Sequence, residues 1–214
     1  MGFKILSAII DINDQLSEAV REGLQRVAKS SVCGIVVYGT SEVLEYHALL
    51  TTIKSTVHDS LSATVPVTLV PQYLLPNGAL KMDIYTLEGS DKITTGTIGG
   101  VCYGLLENKY ESLLFIEGIA ATNFADSVES QSREVFGRLD SLLAVHNFRV
   151  DDIVRQWNYI GKIVGSRAGK QNYQEFNDAR TAYYSSGRWQ NGYPAATGIG
   201  ASGEGIIVSA IAFK

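Results

Sequence analysis

Histidine and cysteine are scarce in this chain. There are three histidines, His47, His58 and His146, and two cysteines, Cys33 and Cys102. None has a Cys, Asp or His partner at ligand spacing, whereas zinc sites draw on clustered ligands of those types, so no metal is expected. Each cysteine lies in an apolar, strand-like run. Both are expected as buried free thiols, which fits a cytoplasmic location. Long apolar runs are also missing. No stretch approaches the roughly 18 residues of a membrane span, so no membrane partner is expected. The opening MGFKILSAII runs straight into Asp11 and Asp14, which is not a signal sequence, and Leu6 stands where myristoylation wants a small hydroxyl residue. Basic excess is lacking too: the formal net charge is -4, which argues against nucleic-acid binding through bulk charge. A local basic patch at Arg167, Lys170, Arg180 and Arg188 is all that remains of that idea. No nucleophile-elbow sequence is present. The glycines Gly96, Gly99, Gly100 and Gly104 open no helix and precede no Lys-Ser/Thr pair. They read as strand bulges or close packing, not as a phosphate loop, and no cofactor is expected.

What is present is an alternation of element types. Residues 3–10 are apolar and β-branched, a strand. Leu16, Val20, Leu24 and Val27 recur at helical steps over 13–29, with Asn13 as N-cap and Asp14 behind it. The apolar run 33–38 predicts a strand covered on both faces. Ser41 opens a second helix, 65–70 and 80–86 are strands, and Pro76-Asn77-Gly78 is a turn. Further on, 92–106 and 110–119 read as two strands joined at Glu107-Asn108-Lys109. Asp126 and Glu129 suggest a capping box for a helix carrying Val128, Val135, Leu139, Leu142 and Leu143 on one face, with Asn147 ending it. Strands at 150–160, 195–199 and 206–213 and a helix over 172–185 complete the chain. Both halves thus run strand, helix, strand, helix, strand, strand, and the second adds a hairpin in front. The expected architecture is α/β, in two units, 1–90 and 91–214, each a mixed sheet backed by two helices, the first unit degenerate.

The chemistry concentrates in 153–200. In an extended strand Arg155, Trp157 and Tyr159 share one face. An arginine beside two aromatics could grip a planar anion, or it could stack at a subunit interface, where Arg, Trp and Tyr are enriched. On the following helix Tyr173, Phe176, Arg180 and Tyr183 or Tyr184 recur at steps of three and four. Tyr173 and Phe176 read as core and Arg180 as a contact to a ligand or to a buried partner. Gly187-Arg188-Trp189 and Asn191-Gly192-Tyr193 form a loop able to cover a cleft. Thr197 offers a hydroxyl or is an ordinary strand residue. Glu204 is the carboxylate after that strand, a candidate acid or a solvated turn residue in Ser202-Gly203-Glu204-Gly205. Glu117 is the second candidate acid.

Residues 95–214 resemble the RidA (YjgF) family of small imine deaminases. The likeness rests on LLFIEGIAA, on SVESQSREVFGRLDSLLAVHNFRVDDIV, on NDARTAYY and on the small-residue strand after Pro194. The resemblance implies a sheet backed by two helices and a trimer with sites in clefts between subunits. The deaminases' carboxylate-binding arginine falls on Ala196 and their glutamate in the last strand on Ile207, so imine deamination by that route is not expected. A narrower resemblance is to the chorismatases, which hydrolyse chorismate to pyruvate and a ring acid. It is carried by Arg155-Gln-Trp157-Asn158-Tyr159-Ile160, by Tyr173-x-x-Phe176-Asn177-x-x-Arg180-x-x-Tyr183, and by Pro194-Ala195-Ala196-Thr197-Gly198-Ile199-Gly200. Those enzymes hold two substrate carboxylates with arginine and tyrosine side chains. They keep a catalytic glutamate in a C-terminal extension with an Asn-Pro-Arg motif, which the residues up to Lys214 do not contain. The resemblance therefore implies a small anionic carboxylate ligand, chorismate or a related cyclic acid, bound between the subunits of a homotrimer by Arg155, Trp157, Tyr159, Arg180, Tyr183 and Thr197. Hydrolysis would fall to Glu204 or Glu117. A non-catalytic ligand-binding or assembly protein and a divergent deaminase are the alternatives.

Overall fold

A computed structural model of the protein describes residues 2–10, 16–25, 27, 32–39, 43–72, 80–88, 93–167, 169–190 and 192–214. Asn13, Asp14, Ser41, the Pro76–Gly78 turn, Asn191 and the expected boundary at 90/91 lie outside the described residues.

The first sheet contains β1 (Gly2–Ile10), β2 (Val32–Gly39), β3 (Val67–Pro71) and β4 (Leu80–Glu88) in the order β1-β4-β2-β3. Helices α1 (Leu16–Leu24) and α2 (Val43–Leu61) pack on it. Strands β1 and β2 run antiparallel to β4, and β2 runs parallel to β3. The second sheet has β5 (Ile93–Ile98), β6 (Val101–Glu107), β7 (Ser112–Ala120), β8 (Ile153–Gly161), β11 (Ala195–Ala201) and β12 (Ile206–Phe213), in the order β11-β8-β12-β7-β6-β5. Helices α3 (Val128–Val145) and α4 (Asn172–Tyr184) back it, and β9 (Ser166–Arg167) pairs with β10 (Lys170–Gln171) in a small ribbon. Four strands of the second sheet repeat the first one's topology. Strand β7 pairs antiparallel with β12, β12 antiparallel with β8, and β8 parallel with β11. The fold class read from the sequence, two mixed sheets with two helices each, is the one observed.

The predicted 92–106 strand is in fact a hairpin. Gly99 and Gly100, at φ +55° and +76°, form its two-residue turn, where both central residues need positive φ. The Asn108 turn is as expected, its Oδ1 accepting from the Tyr110 and Glu111 amides at 2.9 and 3.2 Å. Helix α3 is capped by Ser127 instead of Asp126. The Ser127 hydroxyl accepts from the Ser130 amide at 3.1 Å. At the other end Asn147 takes φ +59°, and Phe148 N and Asn147 N donate to Leu143 O and Ala144 O, a Schellman closure. A short 3-10 turn over Val150–Asp152 leads into β8, which starts at Ile153 and not at Val150.

The two sheets lie face to face, with the helices outside. Residues 32–37 of β2 and 206–210 of β12 are therefore buried on both faces, and the buried apolar side chains of both sheets form one continuous core. Cys33 is buried in this seam, and its thiol donates to Tyr85 O at 3.2 Å; Cys102 is only half-buried, and both are free. A β-bulge shapes the seam. Between the pairs Val208↔Ile119 and Ala210↔Ile116, two residues, Glu117 and Gly118, face the single Ser209. Gly118 adopts φ +68°, and a Cβ there would lie 2.4 Å from the Val67 carbonyl oxygen across the seam.

Both demands at Gly118 are backbone demands, so Gly118→Ala should lower stability by about 2–4 kcal/mol, from strain plus overpacking. Gly137 lies in the exposed middle of α3, and a Cβ added there would meet nothing within 4 Å. Gly137→Ala should raise stability by about 0.5–1 kcal/mol through helix propensity alone. Chemical denaturation of the two variants beside the parent protein reads both; equal effects of the same sign would refute this account of the seam.

Candidate functional site

Strand β8 presents its residues alternately to two different environments. Tyr184 of α4 donates its hydroxyl proton to Gln156 Oε1 at 2.9 Å, so Gln156 and Asn158 face the helices. Arg155, Trp157 and Tyr159 face the first sheet. The Arg155 guanidinium lies 4.7 Å from the Trp157 ring centre, and its Nη1 donates to Ala195 O at 2.9 Å. Trp157 stands 6.5 Å from Tyr85 of β4, centre to centre. Tyr159 is buried, and its hydroxyl is hydrogen-bonded to that of Tyr38. Thr197 pairs with Trp157 in register, is half-buried, and shares this face. Four of the predicted ligand contacts therefore line one side of the sheet.

Glu117 belongs to the same side. Its carboxylate side chain is buried between the sheets, 6% exposed, and its Oε2 accepts from the Thr68 hydroxyl at 2.6 Å. The Ser209 hydroxyl lies 2.8 Å from that of Thr68 and accepts from the Gly118 amide. Burial pushes the Glu117 carboxyl up to about 7, only partly offset by hydrogen bonds from Ser209 and Thr68. The same burial raises the Cys33 thiol and the hydroxyls of Tyr159, Tyr85 and Tyr38. At the rim of the seam Lys81 pairs with Asp83 at 2.8 Å, Ser7 donates to Asp83 at 2.5 Å, and the Lys81 ammonium lies 5.3 Å from the Tyr38 ring centre. A carboxyl acid poised near neutrality can hold and deliver a proton.

Arg180 and Tyr183 stand on the opposite side, on α4. Arg155 and Arg180, expected to line one cleft, are thus divided by the second sheet within a single chain. The Arg180 guanidinium lies over the rings of Phe176 and Tyr184, 5.9 and 6.0 Å from their centres. Among the described residues it forms no ion pair. It enters a cavity of about 440 Å³ walled by Tyr184, Tyr193, Pro194 and Ala196, with no carboxylate among the described residues of the lining. Tyr193 and Tyr184 are stacked, with centres 5.9 Å apart, and Trp189 packs against both while its Nε1 donates to Tyr184 O at 2.6 Å. Tyr183 instead stacks on Phe136 of α3, centres 4.8 Å apart, and its buried hydroxyl has no hydrogen-bond partner among the described residues. That places it against the core and away from the cavity. Phe176 is buried, as predicted, but Tyr173 is 37% exposed, because it lies over Gly198 at the open edge of β11.

Glu204 sits in the 202–205 turn and is ion-paired with Lys162. Both line a second cavity of about 420 Å³, with Gln131, Asn172 and Asp126. None of Arg155, Arg180 and Glu117 lines it. No group of three or more His, Cys, Asp or Glu that could hold a metal ion occurs among the described residues, and no described helix is long and apolar enough to cross a membrane.

Sequence patterns did not single out Tyr38, Thr68 or Ser209, because Tyr38 reaches Tyr159, and Thr68 and Ser209 reach Glu117, only through sheet packing. Tyr184 and Tyr193 carried a signal, an aromatic-rich segment around Arg180, but not the cavity they form.

A family profile described as chorismatase FkbO/Hyg5-like, N-terminal, matches residues 87–212. Among solved structures, a chorismatase superposes on the whole chain with TM-score 0.59 at 19% identity; the chain spans 55% of that protein's length. A YjgF-family protein from Neisseria meningitidis aligns with 59% of this chain and 98% of its own at 20% identity and TM-score 0.44. Escherichia coli TdcF, solved with bound serine, aligns with 60% and 91% at 14% identity and TM-score 0.41. No curated protein sequence matches the chain.

The Glu117 carboxyl titrates higher folded than unfolded, so its proton is lost from the unfolded chain first. Stability should therefore fall as pH rises from about 4.5 to about 7 and level off above. The span corresponds to about 3 kcal/mol at most. Glu117→Gln should remove that slope and be the more stable protein at pH 8. Parallel pH-dependent melts test it; superimposable profiles would show that Glu117 ionises as freely in the fold as outside it.

Proposed function

The chain belongs to the chorismatase FkbO/Hyg5-like N-terminal family, and on that premise we propose that it binds chorismate or a related small cyclic carboxylic acid in the cavity that Arg180 enters. One observation carries this reading. Arg180 is a guanidinium without an ion-pair partner among the described residues, held over aromatic rings at the wall of a cavity of about 440 Å³. An unpaired guanidinium offers a carboxylate two parallel hydrogen bonds. Tyr184 and Tyr193 offer a ring its stacking surface. Ala196, the position of the arginine in the resembling deaminases, lies in the same lining, so the cation reaches this cavity from the helix and not from the strand. In this reading a neighbouring copy in a trimer closes the open side of the cavity.

Hydrolysis to pyruvate and a ring acid is the finer form of the proposal. The enol ether must be protonated before water adds, and Glu117, raised to about 7, is the acid favoured here over the ion-paired Glu204. It shares a face of the second sheet with Arg155, Trp157, Tyr159 and Thr197, opposite the Arg180 cavity, so in this reading turnover requires the substrate to reach that face and not only the cavity. The reading of a binding protein without turnover rests on the lining of the Arg180 cavity, whose described residues include no carboxylate.

Chorismate should raise the melting temperature of the parent protein. Arg180→Ala should weaken binding roughly ten- to a hundredfold, the worth of a charged hydrogen bond. Arg155→Ala, on the other side of the sheet, should keep the ligand-induced shift. Pyruvate release that disappears in Glu117→Gln would establish hydrolysis, and a shift without pyruvate would establish binding alone. No shift and no pyruvate would remove chorismate from consideration.

A further inference from the structure

The layer between the second sheet and α4 should be apolar, and Val208, Ala210 and Ala212 of β12 keep to that rule. Two side chains of β8 do not. Gln156 and Asn158 are both fully buried there, at 0% exposure. Their hydrogen bonds form one line. Asn158 Nδ2 donates to the Thr197 carbonyl of β11 at 3.2 Å. Gln156 Nε2 donates to Asn158 Oδ1 at 2.5 Å. Tyr184 donates its hydroxyl to Gln156 Oε1 at 2.9 Å, and the Tyr184 ring lies under the Arg180 guanidinium. Two amides placed among apolar neighbours tolerate one arrangement of their partners, because any other leaves a buried donor or acceptor unmet.

The two ends of that line are the two walls of the Arg180 cavity. Tyr184 is one wall, and β11, which contributes Ala196 to the lining, is the other. Among the described residues β11 is an edge strand, held on one side only, by β8. Backbone pairing alone leaves its distance from α4 to side-chain packing. The Tyr184 hydroxyl is likewise anchored across the layer, by Gln156, and not by its own helix.

We propose that Gln156 is a positioning residue for the Arg180 cavity. Through the Tyr184 hydroxyl it fixes the ring on which the guanidinium rests, and through Asn158 it ties that ring to β11. The ligand class, a cyclic carboxylic acid, rests on the function proposed above; the positioning of Arg180 does not. The role also accounts for the amides. An all-apolar layer would pack as well, and it would leave the ring and the strand free to shift.

The test uses Gln156→Leu, Tyr184→Phe and the double variant. Tyr184→Phe strands Gln156 Oε1, Gln156→Leu strands both the Tyr184 hydroxyl and Asn158 Oδ1, and each should lower the melting temperature. The double change leaves Asn158 Oδ1 alone unmet and should recover the part of the loss that comes from the Tyr184–Gln156 pair. Two readouts separate positioning from stability. The first is the Arg180 Nε–H resonance in the intact protein, which the Tyr184 ring current displaces. It should move toward the exposed-arginine position in Gln156→Leu and stay there in the double variant. The second is calorimetric binding of chorismate and of benzoate, which should stay roughly tenfold weaker in the double variant despite its partly recovered stability. If the double variant keeps the parent resonance, Gln156 does not position Arg180 and the proposal fails. If it recovers both stability and affinity, the amides serve only the fold, and the proposal fails equally. If the parent protein binds neither probe, the functional reading falls, and the resonance still decides the role of Gln156.

Discussion

Strand β8 is covered on both faces, and its alternation decides what every other chemical group in this chain can do. Successive side chains of a strand point to opposite faces. Because a sheet lies on one side of β8 and a helix on the other, Arg155, Trp157 and Tyr159 enter the seam between sheets, while Gln156 and Asn158 enter the layer beneath α4. A shift of one residue in its pairing with β12 would exchange the two sets. It would put a guanidinium under the helix and amides against Tyr85. The register Ile207↔Tyr159 and Ser209↔Trp157 is thus a functional setting as much as a structural one.

The seam itself depends on the bulge opposite Ser209. Alternation from Phe115 already points Glu117 into the seam; the extra residue returns Ile119 to the face of Ile116, and the positive φ of Gly118 lets β7 approach the carbonyl of Val67. The carboxyl then finds Thr68 and Ser209 as donors and, among the described residues, no cation close enough to hold it ionised. Its raised affinity for a proton is a consequence of sheet packing, not of a charged neighbour.

That distinction explains what the sequence made legible. The element order, the alternation along β8 and the stacking of Phe176, Arg180 and Tyr184 on α4 are local, and a period of two or of 3.6 residues displays them. The repeated order of the two halves likewise foretold two sheets of one topology. The hairpin at Gly99-Gly100 was hidden because two glycines inside an apolar, β-branched run resemble a bulge as much as a turn. Tyr173 has the spacing of a core residue, yet β11 beneath it is an edge strand that leaves the ring in the open. Residues of β3, β7 and β12 meet at Glu117, and no local pattern announces that Thr68 and Ser209, 141 positions apart, will share a hydrogen bond. The two arginines show the same limit. Their spacing suggested a common cleft, and only the layer order reveals that the sheet stands between them.

The layer order also constrains the chemistry. Facing layers in such a stack stand roughly 10 Å apart. Glu117 occupies the gap between the sheets, and Arg180 lies on the far side of the second one. A single-ring acid held by Arg180 therefore does not meet Glu117 in the same chain, and no carboxylate among the described residues lines its cavity. The guanidinium without an ion pair and the raised carboxyl are thus separate features of this fold, carried by opposite faces of one sheet.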